Sequence, residues 1–524
     1  MDLISIAPAL CAPCAFSTPA IFGTEFLSLS TQLVQNFSRY VSDQDYIHHP
    51  ETFVKDAAFC NITVTYTHPG QGDTVIAEAW LPLLWNGRLQ AVGSGGWTAG
   101  RSDLASSMMS GAVGEGYATI TTDAGLGSAQ SPHGWALLSP GNVNWNALHN
   151  LGSVSLYEQA LIGKHLIKSF YGQPPKFSYF NGCSQGGRQG LQLAQRYPDA
   201  YDGIAASAPA VYWPQFFQAM LWPQMVMKTL GQYPHGCELD FLQSAAINHC
   251  DANDGIVDGI IADPNSCQFD PFELVDTLFY CNETRSDMRL SQAAAEVAAA
   301  YHTGARAPDG KFLWYGPYWG ANFTRTIFGS PGLAATACDE KGTSCKGLPF
   351  PFALLWMKFF AMKDPKWDFA SMTPRDFAQT FHLVAQEYAS IYGTADPDLS
   401  LFRDAGGKMI TYHGLADDIT PAAGTERYYN EATKVTPELR DFYRYFEVPG
   451  LGHCYGGNGG HPSNVFEALR AWVENGTTPD NIPIDVPRHG PSRRRILCPY
   501  PERMRLRTNK DSDGDGLSDF QCSA

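Results

Sequence analysis

Two short stretches each set a cysteine beside a residue able to do nucleophilic chemistry. One reads Asn181-Gly182-Cys183-Ser184-Gln185-Gly186-Gly187, and the other, far downstream, reads Gly450-Leu451-Gly452-His453-Cys454. A disulfide between Cys183 and Cys454 would bring their Cα atoms to about 5.5–6 Å. It would hold a serine hydroxyl beside an imidazole, as a nucleophile and its general base require. Gly182-Cys183-Ser184-Gln185-Gly186 also matches Gly-x-Ser-x-Gly, the strand-to-helix turn that lifts a serine out of an α/β sheet. With 50 glycines in the chain, those five residues alone could match by chance. Their setting raises them: a strand-like Phe177–Phe180 precedes and a helical stretch follows.

The acid is expected after the next core strand, where His413-Gly414-Leu415-Ala416-Asp417-Asp418 stands. The base is expected one strand later, at Gly452-His453-Cys454. Ser, Asp, His is the chain order of an α/β-hydrolase. His453 then takes the proton of Ser184, and one of the two aspartates orients the imidazole. The residues themselves leave Asp417 and Asp418 open. Any one of the 14 histidines is most simply a packing or surface residue, so His453 is singled out only by Cys454 and by the order. Two oxyanion donors are also needed. The backbone N–H of Gln185 is one, and Gly93-Ser94-Gly95-Gly96 is placed to supply the other, assigned to Gly96.

A second cluster lies at Cys250-Asp251-Ala252-Asn253-Asp254-Gly255-Ile256-Val257-Asp258-Gly259-Ile260. Three carboxylates in so short a loop repel unless a hard cation with about six to eight oxygen ligands relieves them. The spacing predicts Asp251, Asp254 and Asp258 as side-chain ligands of Ca2+, with the carbonyls of Ile256 and Ile260, and Cys250 with Cys267 as a staple. The competing reading is a solvated acidic turn. Asp511-Ser512-Asp513-Gly514-Asp515-Gly516 resembles such a loop but has Cys522 where the closing acid belongs, so it reads as an ordinary acidic tail.

The elements that must position these groups alternate over the first 205 residues. Strands are expected at Thr74–Trp80, Arg88–Val92, Tyr117–Thr122, Phe177–Phe180 and Gly203–Ser207. Helices are expected at Ser102–Gly114, Leu156–Phe170 and Gln185–Arg196. This βαβα rhythm predicts an α/β fold with a mostly parallel sheet. It lapses from 208 to 405, a segment rich in aromatics and cysteines, and resumes with strands at Lys408–His413 and Phe442–Val448 and a helix at Asn464–Asn475. The expected organisation is a catalytic domain of 1–207 and 406–524 with an inserted lid, 208–405, that carries the acidic loop. The tail from Arg493 reads as a surface extension pinned by Cys498 and Cys522.

Composition bounds the rest. Of 524 residues 44% are apolar and 17% charged, a folded protein without an apolar run long enough to span a membrane. A net charge of −16 argues against nucleic acid and anionic lipid as partners. Thirteen cysteines indicate an oxidising compartment, and sequons at Asn36, Asn61, Asn282, Asn322 and Asn475 point the same way. A zinc protein is disfavoured, because Cys11-Ala-Pro-Cys14 has no second Cys-x-x-Cys to face. The apolar Leu3–Leu10 has Asp2 where a signal peptide has positive charge, so secretion is inferred from cysteines and sequons.

Taken together, these residues resemble the fungal tannase and feruloyl esterase family. The resemblance rests on Gly182–Arg188, Gly414-Leu415-Ala416-Asp417, Gly452-His453-Cys454, the loop 251–260 and Gly116–Gly125. It implies an α/β-hydrolase core with a lid, a Ser184–Asp417–His453 triad and a structural calcium. It also implies disulfides Cys14–Cys60, Cys183–Cys454, Cys250–Cys267 and Cys498–Cys522. Cys237–Cys281 and Cys338–Cys345 are added to that set, leaving Cys11 odd. The implied activity is hydrolysis of phenolic-acid esters, with a small aromatic ester, free or attached to plant polysaccharide or polyphenol, as substrate. An acyltransferase or biosynthetic-pathway esterase using the same triad, and a non-catalytic hydrolase-like binding protein, are the other readings. The oligomeric state is not legible.

Overall fold

The computed structural model describes Ala9, residues 11–326, 328–339, 344–488, 490–507, Leu517 and residues 520–523. The acidic run 511–516 lies outside these. Through the body runs a nine-stranded sheet of order β1-β2-β3-β5-β4-β6-β7-β8-β9. Its strands are β1 Glu25–Val41, β2 Thr52–Thr67, β3 Val75–Pro82, β4 Arg88–Val92, β5 Ala118–Thr122, β6 Phe177–Cys183, β7 Gly203–Ser207, β8 Lys408–Gly414 and β9 Tyr443–Val448. Pairing is antiparallel from β1 to β3 and between β3 and β5. From β5 to β9 every neighbouring pair is parallel. Parallel strands are covered on both faces, and β5 and β7 are buried along their whole length.

The covering helices are α1 Asp103–Gly114, α2 Ser155–Tyr171, α3 Gln185–Arg196, α4 Ala422–Val435 and α5 Val465–Asn475. Their ends follow local chemistry. The Ser102 hydroxyl accepts from the Ala105 N–H at the start of α1, satisfying an amide that has no partner inside the helix. Gly172, at φ 75°, closes α2 in the left-handed conformation. The expected elements of this core fall within about two residues of those observed, except at β6, which runs on to the nucleophile.

Strands β1 and β2 have no counterpart in the sequence reading. Register shifts between Phe26 and Ser28, Val34 and Phe37, and Phe37 and Arg39 interrupt β1. Each such bulge resets which side faces inward, so a 17-residue strand loses its period of two.

Among the described residues, 208–405 supply helices that include Trp213–Ala219, Trp222–Leu230, Gly236–Cys250, Gln292–Thr303 and Pro374–Tyr388, and three two-stranded ribbons. They share one hydrophobic cluster with the sheet, in which Leu89, Ile120 and Phe180 are continuous with Trp213, Trp356 and Phe377. The expected surface tail is corrected at its start. Ile496, Leu497, Cys498 and Arg495 are buried, and Tyr500 packs 5.4 Å from Tyr445.

Six disulfides form, including Cys183–Cys454, Cys250–Cys267, Cys237–Cys281, Cys338–Cys345 and Cys498–Cys522. The expected Cys14–Cys60 bridge does not. Cys60 pairs with Cys11, at a Cα separation of 5.5 Å. The Cys11 carbonyl accepts from the Thr31 hydroxyl of β1 at 2.6 Å, which brings Cys11 down onto the sheet. Cys14 sits in the next turn, Pro13–Ala15, with its thiol exposed.

Candidate active site

At the end of β6 the chain turns sharply into α3, and Ser184 stands at the corner with φ 63° and ψ −119°. Such backbone costs a non-glycine residue about 1–3 kcal/mol and persists only where its surroundings enforce it. Here the Ser184 N–H donates to the Ser207 carbonyl at 3.0 Å, and the Ser184 carbonyl accepts from Arg188 and Ala210. Two glycines allow the packing. A Cβ on Gly182 would lie 2.7 Å from the Gly186 carbonyl, and one on Gly187 would lie 2.2 Å from the Ser207 carbonyl oxygen. Any side chain there would force strand and helix apart.

The Cys183–Cys454 bridge, with Cα atoms 6.0 Å apart, joins this corner to the loop after β9. His453 Nε2 lies 2.8 Å from Ser184 Oγ, and His453 Nδ1 lies 2.7 Å from Asp417 Oδ2. The Asp417 carboxylate is fully engaged. Its Oδ1 accepts from the N–H groups of Ile419 and Thr420 at 2.9 and 2.7 Å. Its Oδ2 also meets His413 Nε2 at 3.0 Å. The structure thus separates the two aspartates: Asp417 holds the imidazole, while the charge of Asp418 adds a smaller raising effect on it.

Charge within this buried group is set by opposing effects. Burial alone would raise the Asp417 carboxyl, but the charge of His453 and the hydrogen bonds from His413 and His453 hold it well below the usual carboxylate range. Burial likewise works against protonating His453, and the Asp417 charge and hydrogen bond, with Asp418 behind, raise it above its ordinary 6.5 all the same. A base raised in this way accepts a proton from the hydroxyl more readily.

Ser184 and His453 open onto a cavity of about 580 Å³. Trp213, Phe216, Phe217, Met220, Phe350 and Phe352 form its 208–405 wall. Gln44, Asp45 and Asp103 stand exposed at its edge. From the aromatic-rich segment 208–405, Trp213, Phe216, Phe217, Phe328, Phe350 and Phe352 line this cavity. Trp314, Trp356, Phe359 and Phe360 are buried in the shared core. Phe328 was not legible beforehand; it meets His453 edge-on at 6.0 Å and Tyr455 at 5.7 Å. No periodic pattern marks it, since it lies in an irregular loop.

Gln185 is the first residue of α3, where amides lack partners inside the helix. Ser94, Gly95 and Gly96 line the cavity with Ser184, and the backbone of Ser94 packs on Gly186. Gly96 has φ +61°, and a Cβ there would meet Gln130 Oε1 at 2.3 Å.

The acidic loop closes on Asp251. Its Oδ1 accepts from the amides of Asp258 and Ile260, and its Oδ2 from that of Gly259. Cys250–Cys267 staples it. Burial raises the Asp254 carboxyl, helped by the charges of Asp258 and Asp251 and opposed by the Ile256 amide and by Arg495. The loop's oxygen-only donors fit a hard cation. The three carboxylates do not converge to within 4.8 Å of one another, and Asp258 is paired with the buried Arg495, a partner the sequence did not disclose.

A parallel sheet, a strained serine at a strand-to-helix corner and a Ser–His–Asp chain of hydrogen bonds define a serine hydrolase of the α/β-hydrolase fold. The family model for tannase and feruloyl esterase matches residues 60–523, and the chain belongs to that family of carboxylic ester hydrolases. A probable feruloyl esterase of Arthroderma benhamiae is 37% identical over 478 residues, covering 88% of this chain and 85% of its own. The tannase of Aspergillus oryzae is 28% identical, covering 87% and 84%. Among solved structures, tannin acyl hydrolase from Aspergillus niger superposes with a TM-score of 0.85 at 27% identity, over 98% of this chain and 94% of that one. Feruloyl esterase B from Aspergillus oryzae gives 0.75 at 26%, over 96% and 98%.

Proposed function

We propose that this chain hydrolyses esters of phenolic acids through an acyl-enzyme on Ser184. The carrying observation is the unbroken chain Ser184 Oγ–His453–Asp417, at 2.8 and 2.7 Å, opening onto an aromatic-walled cavity. Ser184 Oγ bonds to the ester carbonyl carbon while His453 takes its proton. The oxyanion is held by the amides of Gln185 and Gly96. His453 then protonates the departing alcohol, and a water that gives its proton to His453 frees the acid and restores Ser184. The segment 208–405 acts as the lid over this cavity.

Within phenolic acids, the lid wall favours a methoxylated cinnamate. Trp213, Phe216, Phe217, Met220, Phe350 and Phe352 offer no carboxylate or amide to the three hydroxyls of a gallate on this wall; Gln44, Asp45, Asp103 and Gln130 line the cavity from other segments. A buried hydroxyl without a partner costs about 1–3 kcal/mol. Methyl ferulate, methyl gallate and p-nitrophenyl acetate assayed side by side, with Ser184→Ala as control, test both points. The expected kcat/KM is at least tenfold higher for ferulate than for gallate, and Ser184→Ala is inactive. No turnover of any ester sinks the hydrolase reading, and products appearing only with an added alcohol or amine acceptor indicate acyl transfer instead.

Calcium is proposed for the loop 251–260, held by Asp251, Asp254, Asp258 and the carbonyls of Ile256 and Ile260, with the side chains drawing together around it. Its part is to neutralise and stiffen the loop, whose Gly259 and Ile260 line a cleft with Ala416 and Gly452 of the segments that carry Asp417 and His453. Secretion and N-glycosylation complete the reading. They are supported by six disulfides and by exposed sequon residues Asn36, Asn282, Asn322 and Asn475. Asn61, half-buried on β2 and bonded to Glu78, is the exception.

A further inference from the structure

A second imidazole contacts the acid of the triad from behind. His413, at the end of β8, is 0% exposed. Its Nε2 lies 2.9 Å from the Thr420 carbonyl and 3.0 Å from Asp417 Oδ2. A carbonyl oxygen can only accept, so Nε2 carries the proton and donates it to both oxygens. The Asp417 atom it reaches is the one that binds His453. Nδ1 of His413 lies 2.8 Å from the Thr425 hydroxyl on α4. The Thr425 hydroxyl, able to donate or accept, meets Nδ1 and fixes the plane of the ring. The loop from Gly414 to Thr420 is thereby bolted across its own base.

We infer that His413 is a positioning residue for the ester hydrolysis: it fixes the Asp417 carboxylate, in the tautomer set by the Thr420 carbonyl and the plane set by Thr425, so that Oδ2 stays aimed at His453. The inference rests on the triad reading above. Asp417 is also held by two backbone amides, but both act on Oδ1. They leave Oδ2 free to swing about the Oδ1 contacts, and His413 removes that freedom. Loss of His413 lets the charge drift from Nδ1 of His453, and the imidazole becomes less basic. Asp418 still acts on His453 in that variant, so its basicity falls only in part.

The test is kinetics of His413→Ala, His413→Gln and Thr425→Val on methyl ferulate. For His413→Ala, kcat is expected to drop about 10–100-fold, as is typical when the group supporting an active-site side chain is lost, with KM within about twofold. The acid limb of its kcat/KM profile is expected to move to lower pH. His413→Gln, which keeps a donor, recovers part of the rate, and Thr425→Val moves the acid limb the same way by less. Should His413→Ala fail to fold, the other two variants decide. An acid limb unmoved in every folded variant, or kcat within twofold of wild type, overturns the inference. Ser184→Ala in the same series keeps the outcomes apart: if it retains wild-type turnover the triad reading itself fails, whatever His413 does.

Discussion

Asp417 accepts four hydrogen bonds while buried, and that is what sets the pH behaviour of the site. Because its charge raises His453 above 6.5, and the base works only when neutral, kcat/KM should fall as pH drops through a midpoint above 6.5. A wild-type midpoint below 6 would contradict the geometry. Replacing Asp417 with Asn keeps the shape but removes the charge and presents a donor to Nδ1. The rate should then drop by about 10⁴-fold, the loss expected when the base is left in the wrong tautomer, and a fall of less than tenfold would move the acid elsewhere. Asp418→Asn should cost far less, since it is Asp417 that meets Nδ1 of His453. In the sequence these neighbours were indistinguishable by spacing. Only the family likeness, through the Gly414-Leu415-Ala416 lead, favoured Asp417.

At the scale of elements, the nucleophile rides on the β6–α3 corner and the base on the loop after β9. Between those strands in the sheet lie β7 and β8, so no backbone pairing couples the two directly. The Cys183–Cys454 bridge does, together with the Tyr412 hydroxyl, which donates to the Cys454 carbonyl at 2.7 Å. Cys183→Ala combined with Cys454→Ala should therefore lower kcat at least tenfold at temperatures where circular dichroism is still native. Stability should fall by about 2–5 kcal/mol, the usual effect of losing a native disulfide. Full activity in the folded double variant would show that packing alone aligns the two loops. The corner itself was readable, because Gly182, Gly186 and Gly187 declare a close approach that larger residues could not make. The loop carrying Phe328 was not, since nothing local says which cavity an irregular segment will face.

Over the whole molecule, segments far apart in the chain meet on the acidic loop. Arg495, from the strand before Cys498, pairs with Asp258, and Arg503 pairs with Asp263. The C-terminal segment thus contributes positive charge to a region that the sequence reading treated as self-contained. Calcium and Arg495 answer the same excess of negative charge, so chelation should loosen the loop without unfolding the sheet. An added chelator is expected to lower Tm by at least about 3 °C, from ligand-linked stabilisation of a few kcal/mol, with little change in kcat below the transition. Arg495→Met should deepen that loss. A melting curve indifferent to chelator and to added Ca2+ would return the loop to an ordinary acidic turn.

The sequence by itself determined what depends on near neighbours. These are the strained serine corner, the order of nucleophile, acid and base along the chain, and the alternation that builds a parallel sheet. Backbone conformation and period are written within a few residues, so they survive being read one segment at a time. Tertiary structure alone decided which cysteine reaches Cys60, which core aromatics also line the cavity, and that His413 and Arg495 meet the carboxylates they do. Those outcomes turn on how distant segments pack, and a few ångströms of placement separate a partner from a bystander.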